Sequence, residues 1–317
     1  MWRLTGALLA ALLPALALAQ DKPVQSSMDW AYPVTPKPEP LDSVRQKQAP
    51  GSTRKYTQAQ IDDPFNPPDW FPNEHPPMPE IVAHGGAKPA GRACAQCHLP
   101  SGDGHPESAR LAGLPASYII RQMAAFKNGE RKGIRAGVMV AMAKVLTDDE
   151  VRAAAEYFAA LKPARGYNKV READKVPGTY VGAGGMRFAL ADGVYEPVGS
   201  RIIVLPDNAE RAVLRDPKSG FTDFVAKGSI AKGSALAAGG GGDKTTACTT
   251  CHGPALKGLG EIPSIAGRPA TYMFRQLNDM KTGNRSGAAV DPMKPVVVNL
   301  TQDDMIALAA YLGSLDP

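Results

Sequence analysis

Two Cys-x-x-Cys-His motifs consume every cysteine of this chain: Cys94-Ala95-Gln96-Cys97-His98 and Cys248-Thr249-Thr250-Cys251-His252. Two thiols one helical turn apart can add to the two vinyl groups of one haem, and the adjacent imidazole then faces the iron as proximal ligand. Covalent attachment holds a cofactor that a small domain cannot enclose by packing alone. Other uses of four cysteines fit less well. Two disulfides would suit an exported protein, and two Cys-x-x-Cys pairs could share one zinc ion, but neither accounts for a histidine directly after both pairs. The expectation is two covalently bound haems c, attached through Cys94, Cys97, Cys248 and Cys251, with His98 and His252 on the irons.

Sliding the chain by 154 residues superposes the motifs and much of the sequence downstream of them, without a gap. Pro100 falls on Pro254, Ala112-Gly113 on Ala266-Gly267, Tyr118 on Tyr272, and Arg121-Gln122 on Arg275-Gln276. Gly129 and Arg131 fall on Gly283 and Arg285, Leu146-Thr147 on Leu300-Thr301, and Tyr157 on Tyr311. This is a duplicated domain of about 70 residues per copy. The repeat also bears on the sixth iron ligand. The first copy offers Met139 and Met142, but only Met139 has a methionine partner, Met293; Met142 falls on Val296. Met139 and Met293 are the candidate axial ligands. His75, His84 and His105 remain alternatives in the first copy, while the second copy holds no histidine except His252.

The coarse structure reads as helical. Thr147 with Glu150 and Thr301 with Asp304 form capping boxes, each opening a closing helix with apolar residues at helical spacing. A middle helix is expected near 117–127 and again near 271–281. The methionine is expected on an irregular loop between these helices. Tyr157 and Tyr311 read as core residues near the haem.

The order Cys-x-x-Cys-His-x-Pro, Ala-Gly, Tyr-x-x-Arg-Gln, Met, then Leu-Thr-x-Asp and a closing helix resembles the class I cytochrome c fold. Two tandem copies resemble the di-haem cytochrome c4 group. The resemblance implies a mainly α fold of two tandem cytochrome c domains, His98/Met139 and His252/Met293 ligation, and a one-electron carrier. With the resemblance covering roughly 83–163 and 229–317, the chain is expected to divide into an N-terminal signal peptide (1–19), a Pro-rich arm (20–80), a first cytochrome c domain (81–163), an inter-domain segment with short β-strands (164–228) and a second cytochrome c domain (229–317). Two departures stand out. The first copy lacks a clear helix before its motif, where the second has 229–236, and the segment between the copies is far longer than that group's linker.

The remaining segments carry weaker signals. Arg3, the apolar run Leu4–Leu16 and Ala17-Leu18-Ala19 read as a cleaved secretory signal, which places the protein in the periplasm with no membrane span after cleavage. Residues 20–80 hold 13 of the 29 prolines, as an extended arm would. Its aromatic stretch at 65–72 is expected to pack on the first domain and replace the missing helix. Strands are expected at 186–190 and 201–206. The net charge of +5 is nearly offset by four haem propionates, and no basic run supports a nucleic-acid partner.

The partners expected are redox proteins that donate and accept electrons. A methionine sixth ligand saturates the iron, so the expectation is an electron carrier and not an enzyme. The alternatives are a di-haem peroxidase, which needs one iron open to peroxide, and the cytochrome subunit of a periplasmic dehydrogenase complex.

Overall fold

The two threonine caps are the most local of these expectations, and both form. In a computed structural model, which describes residues 28–35, 37, 41–242 and 244–317, the Thr147 hydroxyl accepts from the Glu150 amide while the Glu150 carboxylate accepts from the Thr147 amide. Thr301 and Asp304 repeat the arrangement. The signal-peptide segment 1–19 lies outside the described residues. Among the described residues no helix is long and apolar enough to cross a membrane.

The first half runs through α1 (Gln58–Ile61), α2 (Glu80–Ala83), α3 (Ala95–His98), α4 (Ala116–Lys127), α5 (Gly137–Val145) and α6 (Asp148–Ala160). An insert comes next: β1 (Asn168–Glu172), β2 (Lys175–Pro177), β3 (Thr179–Val181), β4 (Arg187–Ala189), β5 (Tyr195–Pro197), β6 (Ile203–Pro206), α7 (Ala209–Val213) and β7 (Phe221–Val225). The second half comprises α8 (Ser229–Gly239), α9 (Thr249–His252), α10 (Ala270–Lys281), α11 (Lys294–Val297) and α12 (Gln302–Ser314). The expected middle and closing helices are thus present in both copies, and so are strands at both expected positions of the insert.

The insert is built around β1-β7-β6, with β1 parallel to β7 and β6 antiparallel to it. Phe221 and Val225 of β7 point to the buried side, where they join Ile203 of β6 and Ile306 and Ala310 of α12 in one continuous core. The first half keeps a separate core, with Ile81, Ile119, Met142 and Phe158 among its buried residues.

The arm takes a different course from the one its composition suggests. Near the first described residues it lies on the second half: Trp30 packs on Phe274 with ring centroids 4.6 Å apart, and the Ala31 carbonyl accepts from Arg275 Nε at 2.5 Å. Further along, Trp70 and Phe71 pack with Ile61 and Leu214, and Trp70 Nε1 donates to the Leu214 carbonyl at 2.7 Å. The aromatic stretch therefore spans two neighbours: Trp70 seats on the insert, while Phe65 lies under Lys88 Nζ of the first domain at 4.7 Å, as expected. Replacement of the missing helix falls instead to α2, whose Ile81 and Val82 enter the first-half core. Buried indole N–H groups need an acceptor, and Leu214, at the end of α7, offers one.

The halves meet in a pseudo-two-fold interface. Lys132 N donates to Asn284 O and, at the equivalent positions, Ser286 N donates to Glu130 O, both at 2.8 Å. Arg131 donates to Tyr272 Oη (3.1 Å) and Gln276 Oε1 (2.7 Å), and Arg285 donates to Tyr118 Oη (3.0 Å) and Gln122 Oε1 (2.9 Å). Despite the long insert, the copies pack directly against one another.

Candidate functional site

Each Cys-x-x-Cys-His motif closes one helical turn, with the His98 and His252 amides donating to the Cys94 and Cys248 carbonyls at 2.9 and 3.0 Å. The chain must then reverse sharply. Three equivalent positions after the motif take positive φ in both halves: 99, 102 and 104 in the first, and 253, 256 and 258 in the second. Glycine is the residue that adopts this region freely, yet each half uses glycine at only two of the three. Leu99 (φ 61°) and Leu256 (φ 58°) fill the remaining position of each half. The loop shape is repeated even where the residues are not.

That loop carries Ala109 and Pro263, equivalent in the repeat, to the two imidazoles. His98 Nδ1 donates to Ala109 O and His252 Nδ1 donates to Pro263 O, both at 2.8 Å. A carbonyl oxygen can only accept, so the proton sits on Nδ1 and Nε2 keeps its lone pair. Burial lowers the pKa of both histidines, against the raising effect of the same carbonyls. Both imidazoles are therefore neutral and oriented, as a metal-ligating nitrogen requires.

A cavity adjoins each motif. The one in the second half, about 250 Å³, is lined by Cys248, Cys251, His252 and Met293. The one in the first half, about 50 Å³, is lined by Cys94, Cys97, His98 and both Met139 and Met142. His75, His84 and His105 line neither. His75 bonds Asp69 at 3.1 Å, His84 is exposed, and His105 Nε2 accepts from Arg215 at 2.8 Å.

The methionine segments differ between halves. Met293 ends a 3-10 turn, Asp291–Met293, where Pro292 and Pro295 interrupt regular helix. Met139 lies inside α5, so the expected irregular loop is helical in the first half. Without proline, the run Gly137 to Val145 can continue as helix.

The cavities fit haem c. Each pairs two thiols with a neutral imidazole and a thioether in a mostly apolar wall. The second also holds Arg285, whose buried Nε lacks a hydrogen-bond partner and can receive a carboxylate. The thiols fall into two separate cavities, so they do not converge on one zinc ion. Among the described residues no three His, Cys, Asp or Glu side chains cluster as a metal site.

The repeat had singled out Tyr118, Gln122, Arg131 and their partners without a role. Their signal is polar side chains kept at a fixed offset, Tyr118 and Gln122 on α4 and Arg131 just beyond its end. Their place is the interface, and Tyr118 and Gln122 of the first half also line the second-half cavity.

Residues 230–316 match the cytochrome c family, and residues 82–158 match the family described as cytochrome C oxidase, cbb3-type, subunit III. A thiosulfate dehydrogenase electron acceptor of Thiomonas intermedia is 29% identical over 231 residues, 72% of this chain and 81% of that protein. Cytochrome c4 of Pseudomonas aeruginosa is 25% identical over 74% of this chain and 88% of its own length. Cytochrome c-554(548) of Halomonas halodenitrificans is 35% identical over 75 residues, 23% of this chain and 90% of that protein. The matches cover both halves, and the named relatives are two cytochromes and an electron acceptor. With two haem c sites in two tandem domains, the chain belongs to the class I c-type cytochromes, as a di-haem electron-transfer member.

Proposed function

We propose that this chain is an exported, periplasmic one-electron carrier, not itself an enzyme, in which His98 with Met139 and His252 with Met293 would ligate the irons of two haems. The observation that carries this reading is the pair of Nδ1 donations to Ala109 and Pro263, which leaves a bare Nε2 in each half. When bound, each haem c supplies a one-electron Fe(III)/Fe(II) couple. Cys94, Cys97, Cys248 and Cys251 tether it, the histidines present their free nitrogens, and the methionine thioethers exclude substrate and raise the potential. Met139 is preferred to Met142 because Met139 is the one with a methionine partner in the repeat. Residues 81–163 and 229–317 each enclose one haem; residues 20–80 and 164–228 fix them relative to each other, and 1–19 is removed on export.

A dehydrogenase is the donor that the relatives support, and thiosulfate dehydrogenase is the first to test. Met139→Ala and Met293→Ala should each abolish the methionine–iron charge-transfer band of one haem and lower its midpoint, while Met142→Ala leaves both intact. An unchanged spectrum in Met139→Ala would overturn the ligand assignment. Stopped-flow mixing with reduced thiosulfate dehydrogenase should reduce this protein within the enzyme's turnover time; no transfer at any ratio removes that donor.

A further inference from the structure

Two arginines in the wall of the second-half cavity are buried without a carboxylate partner. Arg268 is 4% exposed. Its Nε donates to the Ser264 carbonyl at 3.3 Å and its Nη1 to the Arg110 carbonyl at 2.7 Å, both neutral acceptors. The nearby carboxylate of Asp103 is already held by Arg110 at 2.7 Å. Arg285 is 8% exposed, and its partners are the neutral side chains of Gln276, Tyr118 and Gln122. Burial, followed by the charge of Arg110, pushes the Arg268 guanidinium down to about 10, a strain that a counter-ion would relieve. Burying a charge without a partner is unfavourable, so this wall suits an anion.

We propose that Arg268, together with Arg285, receives the two propionate carboxylates of the second haem, and that the first haem site has no counterpart of Arg268. The proposal rests on the two-haem carrier reading above. Guanidinium groups match carboxylates in charge and in planar fork geometry: two cations stand ready for the two carboxylates that one haem c brings. The repeat shows how the halves differ. Arg285 has an equivalent in Arg131, whereas Arg268 falls on Leu114. Arg131 does not line the first-half cavity; it stacks on Phe126 at 4.5 Å and is engaged across the interface. Reduction adds one electron to the iron and breaks no bond. A fixed positive charge in the wall favours the reduced, less positive iron, so Arg268 biases the second haem toward holding the electron.

The test is a redox titration of full-length, haem-loaded protein, with the two haems followed separately. Arg268→Gln keeps a donor for the Ser264 and Arg110 carbonyls and removes the charge; Arg268→Lys keeps the charge. Arg268→Gln should lower the reduced-to-oxidised ratio of the second haem on the order of tenfold at fixed potential, about 59 mV for a one-electron couple. The first haem should stay where it was, and Arg268→Lys should retain most of the wild-type value. An unchanged second midpoint in Arg268→Gln, an equal shift in both haems, or no rescue by lysine overturns the proposal. If Arg268→Gln does not accumulate, the propionate bending mode of the second haem is compared by resonance Raman between wild type and Arg268→Lys; an identical mode overturns it. The methionine–iron band is recorded throughout. Its loss in wild type would indict the axial-ligand reading, whereas its persistence with an unmoved midpoint would indict the role of Arg268.

Discussion

Helices α6 and α12 have the same length, the same capping box and the same place in the repeat, yet their surroundings differ. In α6 the buried residues are Ala154, Ala155, Tyr157 and Phe158, a stripe along one side. In α12 almost everything from Met305 to Gly313 is buried, Tyr311 being the exception. The repeat locates the cause. Arg152 and Glu156, which face water in α6, fall on Ile306 and Ala310 in α12. Where the first copy turns charge to solvent, the second presents apolar side chains to the core it shares with the insert. A helix that is apolar on all sides has to be covered on all sides. The second copy thus turned a solvent face into the foundation for a new subdomain.

Exchanging these residues is the strongest way to break the comparison. Ile306→Arg restores the first-half residue but buries an unpaired charge, and should cost about 4 kcal/mol in chemical denaturation. Arg152 is well exposed beside Asp149, so Arg152→Ile should change stability by no more than about 0.5 kcal/mol. Similar values for the two would mean that α12 is not committed to the insert.

The arm offers the next largest effect. Phe274, fully buried under Trp30, is the repeat partner of Ile120, which is 38% exposed. Trp30→Ala should cost about 3 kcal/mol, lost from the unfolding transition of the second half. Ile120→Ala has no covering segment to undermine and should cost well under half as much. Equal losses would show that the arm merely rests on the second half.

The same contrast separates what the sequence exposed from what it concealed. Caps, helices and haem motifs are local: Thr147 and Glu150 are three residues apart, and their bond needs nothing else. The repeat carried Met139 to Met293 because duplication preserves offsets. The course of the arm is not local, since Trp70 meets Leu214 across 144 residues and no periodicity encodes that distance. Likewise, an irregular loop is expected around both methionines, whereas the prolines that break the helix occur in the second copy alone. One further signal is legible in the residues themselves. The stretch from Met305 to Gly313 contains no charged residue, which already declares a helix without a solvent face.

A finer comparison lies in one repeated arginine. Arg275 and Arg121 are equivalents, and each reaches a glutamate of the other half. Arg275 is buried, bonds Glu107 at 2.9 Å and shares it with Arg135. Glu107→Gln leaves a buried guanidinium without its counter-ion but keeps an acceptor, so it should cost about 2 kcal/mol. A loss below about 0.5 kcal/mol would mean that the Ala31 carbonyl satisfies Arg275 without the charge of Glu107.

Arg121 instead pairs with exposed Glu261, which also accepts from Ser117 at 2.7 Å. Hydrogen bonds from Arg121 and then Ser117 hold the Glu261 carboxyl below its usual range. Linkage sets the sign: a carboxyl with a depressed folded pKa binds fewer protons when folded, so its stabilisation is present above the usual glutamate range near pH 4 and lost as the pH falls below it. Because the pair lies in water, salt should erase most of its effect. Glu261→Gln should therefore be nearly silent at neutral pH in high salt, and should flatten the acid limb of the stability curve slightly in low salt. Glu107→Gln, shielded from the ions, should keep its full effect in both. If Glu261→Gln proved the more damaging of the two in high salt, the repeated arginines would be pairing in the reverse order of their burial, and the distinction between a covered second half and an open first half would fail at the interface.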